Sequence, residues 1–281
     1  DSFGLASPLI PAWDAAAHVK KVERVRAWIA AGDCYQANLA VPFHARLRPG
    51  RNRDVAAFRQ LMTVSPAPFA GFFRSFGRPS VISHSPECFL SQRDRKIVSV
   101  PIKGTRRRQV GLEETVRAEL SAAPKDAAEL AMIVDLVRND LGRVAVPGSV
   151  QVIDPGHLID LAYVHHRAAR VAATLRSDAT LADAVLAGFP AGSITGAPKL
   201  RAMQILAELE GTSRGAYCGA FGWIGAHGGD LAVAIRTASI SADHVTFHAG
   251  GGIVWDSQPT AEWDEVLAKV SGFAHAMGAV K

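Results

Sequence analysis

Residues 81–104 read VISHSPECFLSQRDRKIVSVPIKG. Two stretches rich in strand-forming residues, VISHSPECFLSQ (81–92) and KIVSVPIKG (96–104), flank the polar turn RDRK (93–96), and this arrangement predicts a β-hairpin. Upstream, CYQANLAVPF (34–43) alternates Tyr35, Ala37, Leu39 and Val41 with Gln36, Asn38 and Ala40, so a strand there carries Gln36 and Asn38 on one face. Helical spacing predicts helices over 14–31, stopped at Gly32, and over 54–63, 111–140, 180–188 and onward from Pro259. GSVQVIDP (148–155) reads as strand, and 158–176 fits either state. Downstream, FPAGSITGAPKLRAMQILAELE (189–210) is a glycine-rich loop feeding a helix, followed by a three-strand meander with turns at AHGGD (226–230) and SADH (241–244). Strands that come in hairpins make mainly antiparallel sheets with helices outside, an α+β architecture. No repeat or low-complexity linker divides residues 1–281, which predicts one large domain or two closely merged.

With 48% hydrophobic and 20% charged residues, the chain of 281 has the composition of a soluble globular enzyme. No apolar stretch approaches the roughly 18 to 20 residues of a membrane helix. The first thirty residues lack the order of a signal peptide, which predicts a cytoplasmic protein without a membrane partner. Cys34, Cys88 and Cys218 are scattered, without the spacing of a disulfide framework or zinc site. The net charge of +5 sits in short clusters such as KKVERVR (20–26) and KGTRRR (103–108) without interleaved aromatics. That favours an anionic small molecule over nucleic acid.

Several residues carry possible chemistry. Asp126 and Glu129 in PKDAAELAMIVDLVRND (124–140), and Glu262 and Glu265 in DSQPTAEWDEVLAKV (256–270), are acidic pairs three apart on helices. Each is either a solvated helix turn, with Glu265 pairing Lys269, or half of a Mg²⁺ site. The loop AGSITGAPK (191–199) can bind an anion but lacks the full P-loop pattern, and the glycines 250–252 either let backbone approach a ligand or make a bulge. In DLAVAIRT (230–237), alternation places Arg236 on a small-residue face with Ala232 and Ala234, suited to a carboxylate or to solvent. His166 beside His165, and Glu87 after Pro86, are unremarkable taken singly. Lys103 ends an apolar strand, sharing by alternation the face of Ile97, Ser99 and Pro101. It is either a snorkelling surface lysine or a buried amine.

Taken together, GDCYQANLA, SPECFL, PIKGT, ELAMIVDLVRNDLGR, GSITGAPKLRAMQIL, RGAYCGAFGWI, AIRT, AGGGIVWDS and AEWDEVLAK, in that order over residues 20–275, resemble the chorismate-utilising enzymes. The likeness is greatest to their aminodeoxychorismate synthase component I branch. The resemblance implies two antiparallel sheets packed as a sandwich with helices outside. It implies Mg²⁺ on Glu129 and Glu265, accompanied by Glu262 and Asp126, and an enolpyruvyl carboxylate held by Arg236 and Tyr217. Ser193 and Gly250, Gly251 and Gly252 match substrate-contacting positions, Lys269 a basic residue near the ring carboxylate, and His166 a histidine beside the ring. Glu87 matches the general acid. Gln36 stands where enzymes that add water at C2 resemble each other in having lysine, and Lys103 stands where anthranilate synthases have alanine. The implied activity is conversion of chorismate, with ammonia from a glutamine amidotransferase partner, to 4-amino-4-deoxychorismate for folate synthesis. Anthranilate synthase component I and an inactive chorismate-binding remnant compete with it. The family usually has over a hundred further residues before the YQANL strand, where about thirty precede it here.

Overall fold

The computed structural model describes residues 3–161 and 163–277. Two compact units share the chain, and neither is continuous: one comprises residues 1–85, 194–219 and 234–281, the other 86–193 and 220–233. In chain order, β1 (Ile10–Pro11), α1 (Ala15–Ala30), β2 (Gln36–Arg46), α2 (Arg53–Val64), β3 (Phe69–Phe73) and β4 (Ser80–Ser85) open the first unit. The second holds β5 (Cys88–Arg93), β6 (Lys96–Val100), β7 (Ile102–Arg107), α3 (Glu113–Ala122), α4 (Pro124–Gly142), β8 (Gln151–Asp160), β9 (Val164–Thr174) and α5 (Leu181–Gly188). After β10 (Gly196–Ala197) and α6 (Lys199–Glu210) in the first unit, β11 (Ala220–Gly225) and β12 (Gly228–Val233) return to the second. β13 (Thr237–Ile240), β14 (His244–Ile253) and α7 (Pro259–Ala276) finish the first. No helix among the described residues is long and apolar enough to cross a membrane.

Each unit is built on one antiparallel sheet with helices against it, so the α+β class is as expected. The first sheet runs β1-β2-β14-β13-β4-β3, with β10 also on β2; the second runs β11-β12-β5-β6-β9-β7, with β8 also on β9. In the first unit, Phe43, Leu61, Ile82 and Phe247 share a core with Phe273 of α7, whose ring stacks 3.9 Å from Phe247. A second cluster joins Val22, Val25 and Trp28 of α1 to Leu39 of β2 and Ile205 of α6. Asp14 caps α1 by accepting from Ala17 N at 2.8 Å.

Three expectations change, and one open segment is settled. The segment 81–92 is not one strand: after β4 the chain leaves the first sheet at Pro86, which has no N–H for a ladder, and β5 begins in the other. The hairpin itself forms, between β5 and β6, with Arg93 opposite Lys96. The expected helix over 111–140 breaks at Ala123–Pro124, because proline can start α4 but cannot continue α3. The meander is two hairpins in different sheets, since β12 pairs β11 and β5 whereas β13 pairs β14 and β4. Residues 158–176 resolve into the β8–β9 pair, flanking a position outside the described residues.

Candidate active site

In the second unit Glu87 lies between the sheet switch and β5, with Ser193 and Lys103 acting on it. Its backbone carbonyl accepts from Val233 N at 3.1 Å, and Ser193 Oγ donates to Glu87 Oε1 at 2.5 Å. Burial pushes the Glu87 carboxyl up to about 7, against the opposing pull of the Ser193 hydrogen bond and the Lys103 charge. A carboxyl poised there can hold or release a proton near neutrality. A cavity of about 20 Å³ beside Glu87, bordered by Ser99, Pro101, Asp140 and Ser193, has room for one water molecule.

Lys103 reaches this neighbourhood by a route that alternation does not describe. Proline at 101 separates β6 from β7, and the β7–β9 register then slips between Ile102 and Thr105. The intervening Gly104 has φ +86°, and a methyl there would stand 2.9 Å from Asp126 Cγ. The bulge thus falls at Lys103 and Gly104, at the end of the stretch that carries Ile97, Ser99 and Pro101. Its side chain is 10% exposed and its Nζ lies 3.9 Å from Glu129 Oε2 on α4. Glu129 also pairs Lys125 at 3.9 Å. Asp126 is committed differently, to Arg106 at 3.0 Å. His166 is buried on β9 opposite Thr105, whose hydroxyl is 2.8 Å from His166 Nδ1. Neither Thr105 nor Arg106 was singled out from sequence, because each acts through a partner far along the chain.

In the first unit, β2 and β14 lie side by side, with Gly250 opposite Ala40, Gly251 opposite Leu39 and Gly252 opposite Asn38. A methyl on Gly250 would stand 2.3 Å from Leu39 O, so the sheet itself requires that glycine. A methyl on Gly251 would instead meet Glu262 Oε2 at 3.2 Å and Glu265 Oε1 at 3.4 Å. The missing side chain leaves a cradle before two carboxylates from α7. Lys269 Nζ donates to Glu265 Oε1 at 2.7 Å and to Gly250 O at 2.6 Å. Gln36 is fully buried, and among the described residues neither its amide oxygen nor its amide nitrogen has a hydrogen-bond partner. Buried amides are normally satisfied, so this one is suited to a ligand.

Arg236 is not on a strand: β12 ends at Val233 and β13 starts at Thr237, which overturns its placement by alternation with Ala232 and Ala234. It sits in the linking turn at φ +50°, a strained conformation for a non-glycine residue, and burial lowers its pKa. Tyr217 is buried, stacks 5.2 Å from the His248 ring, and has its phenol pushed well above the usual tyrosine range by burial. It therefore stays a neutral hydrogen-bond donor.

Thus Glu87, Lys103, Asp126, Glu129, His166 and Ser193 belong to one unit, while Gln36, Tyr217, Arg236, Gly250–Gly252, Glu262, Glu265 and Lys269 belong to the other. Among the described residues, no group of three or more histidine, cysteine or acidic side chains is gathered as a ready metal cage. The Glu262–Glu265 pair nevertheless fits Mg²⁺, which takes one or two carboxylates and fills its remaining positions with water and substrate oxygens.

The chain belongs to the chorismate binding enzyme family, whose profile matches residues 3–275. It is similar to aminodeoxychorismate synthase component 1 of Klebsiella aerogenes, 43% identical over 92% of this chain and 57% of that protein. It is equally similar to anthranilate synthase component 1 of Geobacillus stearothermophilus, 42% identical over 92% of this chain and 51% of that one. The solved structure of anthranilate synthase component I from Streptococcus pneumoniae TIGR4 matches with a TM-score of 0.85 at 33% identity, covering 96% of this chain and 60% of that one. The chain therefore spans a little over half the length of these relatives.

Proposed function

We propose that the protein is an aminodeoxychorismate synthase component I, converting chorismate and ammonia to 4-amino-4-deoxychorismate, with a glutamine amidotransferase subunit as the ammonia source. The near-equal identities to aminodeoxychorismate and anthranilate synthases do not choose between the two activities. The observation that carries the reading is Lys103, an amine whose side chain is only 10% exposed and whose charge acts on a buried acid titrating near 7.

A proton passed from the Lys103 ammonium to the Glu87 carboxylate leaves an amine and an acid, the pair this substitution needs. The amine bonds to C2, the ring double bond shifts, and the C4–O bond breaks as Glu87 protonates the departing hydroxyl, which leaves as water. Ammonia then bonds to C4, the double bond shifts back, and the C2–N bond to Lys103 breaks, with a proton from the incoming nitrogen returning to the site. Ser193 holds the Glu87 carboxyl in place, and Thr105 fixes the ring of His166. Arg236 and Tyr217 are proposed to take the enolpyruvyl carboxylate, Gln36 and Lys269 further polar groups of the substrate.

Mg²⁺ is proposed at Glu262 and Glu265, where it would neutralise substrate carboxylate charge. Glu129 and Asp126 are proposed as ligand and accompanying acid on the family resemblance. Gly251→Ala intrudes on Glu262 and Glu265 without straining the backbone. It should raise the Mg²⁺ concentration for half-maximal turnover about tenfold, as losses of groups supporting metal ligands commonly do. Full parental turnover in excess chelator would reject the metal assignment.

The deciding experiment incubates the chain with chorismate, Mg²⁺ and ammonium and identifies products by mass and chromatography. A C4-amino product supports the reading, anthranilate supports the rival activity favoured by the 42% identical relative, and bound but unconverted chorismate indicates an inactive remnant.

A further inference from the structure

Strand β2 is met on one edge by β10 at Gln36 and Ala37 and by β1 at Phe43 and His44. Between these points, among the described residues, no strand pairs that edge. Asn38 N donates to Thr195 O at 2.8 Å, and the next backbone groups are met by an ion pair. Arg214 Nη2 donates to Asn38 O at 2.6 Å, while Ala40 N donates to Glu210 Oε1 at 2.9 Å. The partners are joined twice, Nε to Oε2 at 2.8 Å and Nη2 to Oε1 at 2.6 Å. Arg214 Nη1 donates to Ile194 O at 3.0 Å and to Cys218 Sγ at 3.3 Å. All five guanidinium N–H groups thus have acceptors. The two side chains are 16% and 6% exposed.

Buried ion pairs seldom add net stability over apolar residues of similar size, so fixing geometry is the better account of one here. Two groups with proposed substrate roles hang on it. Gln36 lies two residues before Asn38 on the same strand. Tyr217 N donates to Arg214 O at 3.0 Å, and the guanidinium lies 6.0 Å from the centre of the Tyr217 ring.

We infer that the Arg214–Glu210 pair is a positioning device for substrate recognition, standing in for a strand at the β2 edge and thereby setting both Gln36 and the Tyr217 turn. The substrate part rests on the chorismate reading. Lysine cannot replace Arg214, because it has three donors and no planar fork.

The test uses Arg214→Lys and the double variant Arg214→Met/Glu210→Gln. The double variant leaves no unmatched buried charge and keeps an acceptor for Ala40 N; retained cooperative melting confirms that it folds. The first readout is spectrophotometric tyrosine titration. Of the three tyrosines, Tyr35 and Tyr163 are exposed and Tyr217 is buried. In the parent, Tyr217 should stay silent until unfolding. In the folded double variant Tyr217 should titrate before unfolding. The Arg214 charge favours tyrosinate more than the Glu210 charge opposes it, so losing both with the ring still in place would push the titration further away. Only displacement of the ring out of its buried position lets it titrate in the folded protein. The second readout is calorimetric binding of chorismate, expected at least tenfold weaker in both variants, with turnover at saturation within about threefold of the parent. A folded double variant with a silent Tyr217 and parental chorismate affinity overturns the inference. A parent that does not bind chorismate rejects the proposed substrate instead, and the tyrosine titration still decides the positioning role.

Discussion

Lys103→Ala leaves an enzyme whose surviving product carries nitrogen at C2 rather than C4. In the proposed chemistry the lysine amine occupies C2 and directs ammonia to C4; without it, ammonia can enter only at C2, the first step towards anthranilate. Two companion measurements separate nucleophile from charge. Lys103→Arg keeps a cation beside Glu87 and Glu129 but offers no amine near neutral pH, so it should lose the C4-amino product as completely as alanine does. Intact mass of the parent, given chorismate without ammonia, should show a chorismate-derived adduct at Lys103. A C4-amino product formed by Lys103→Ala at the parental rate would make the lysine structural and the mechanism wrong.

Glu87→Gln should lower turnover by roughly 10²–10⁴-fold, the usual contribution of a positioned general acid, while Gln Oε1 still accepts from Ser193 Oγ. Parental activity should rise as pH rises through about 7, where the Lys103–Glu87 pair sheds the first of its two protons and the remaining one can be passed from the ammonium to the carboxylate. Stability follows the same group. The folded carboxyl titrates near 7 and the unfolded one near 4.5, so between those values the folded state binds more protons. Stability from this group is complete below about 4.5 and is lost on going up to 7, by about 3 kcal/mol. Denaturant titrations from pH 4 to pH 8 should show that decline in the parent and its absence in Glu87→Gln. Equal slopes in the two proteins would mean that Glu87 is not the buried acid.

Local pattern was legible in the sequence wherever one element meets one core. The spacing of Val22 and Val25, the alternation around Leu39, and the turn between β5 and β6 all correspond to observed structure. It failed where the chain changes sheets, because period-two alternation says which side a residue takes but not which sheet the strand joins. Glu87 and Arg236 lie at two such changes, so the same breaks that hid their placement put them in irregular backbone. Lys103 was conspicuous as a lone lysine before glycine, yet the bulge beside it is a feature that an unbroken pattern cannot contain. The hydrogen bonds of Ser193, Thr105 and Arg106 join residues far apart in sequence, beyond the reach of spacing arguments. Motif resemblance supplied the site residues; physical pattern alone left each with a bland alternative.

The position of β14 sets a timetable for synthesis. It lies between β2 and β13, with Gly251 opposite Leu39, so the middle of the first sheet stays open until synthesis has passed residue 253. At about 5–20 residues per second, the β2 segment waits roughly ten to forty seconds for that partner. During this interval it is an apolar strand with a bare edge, the kind of surface that neighbouring nascent chains can pair with. A ribosome-stalled chain ending before β14 should therefore be readily captured by general chaperones and sensitive to protease, and both properties should vanish once residue 277 has cleared the exit tunnel.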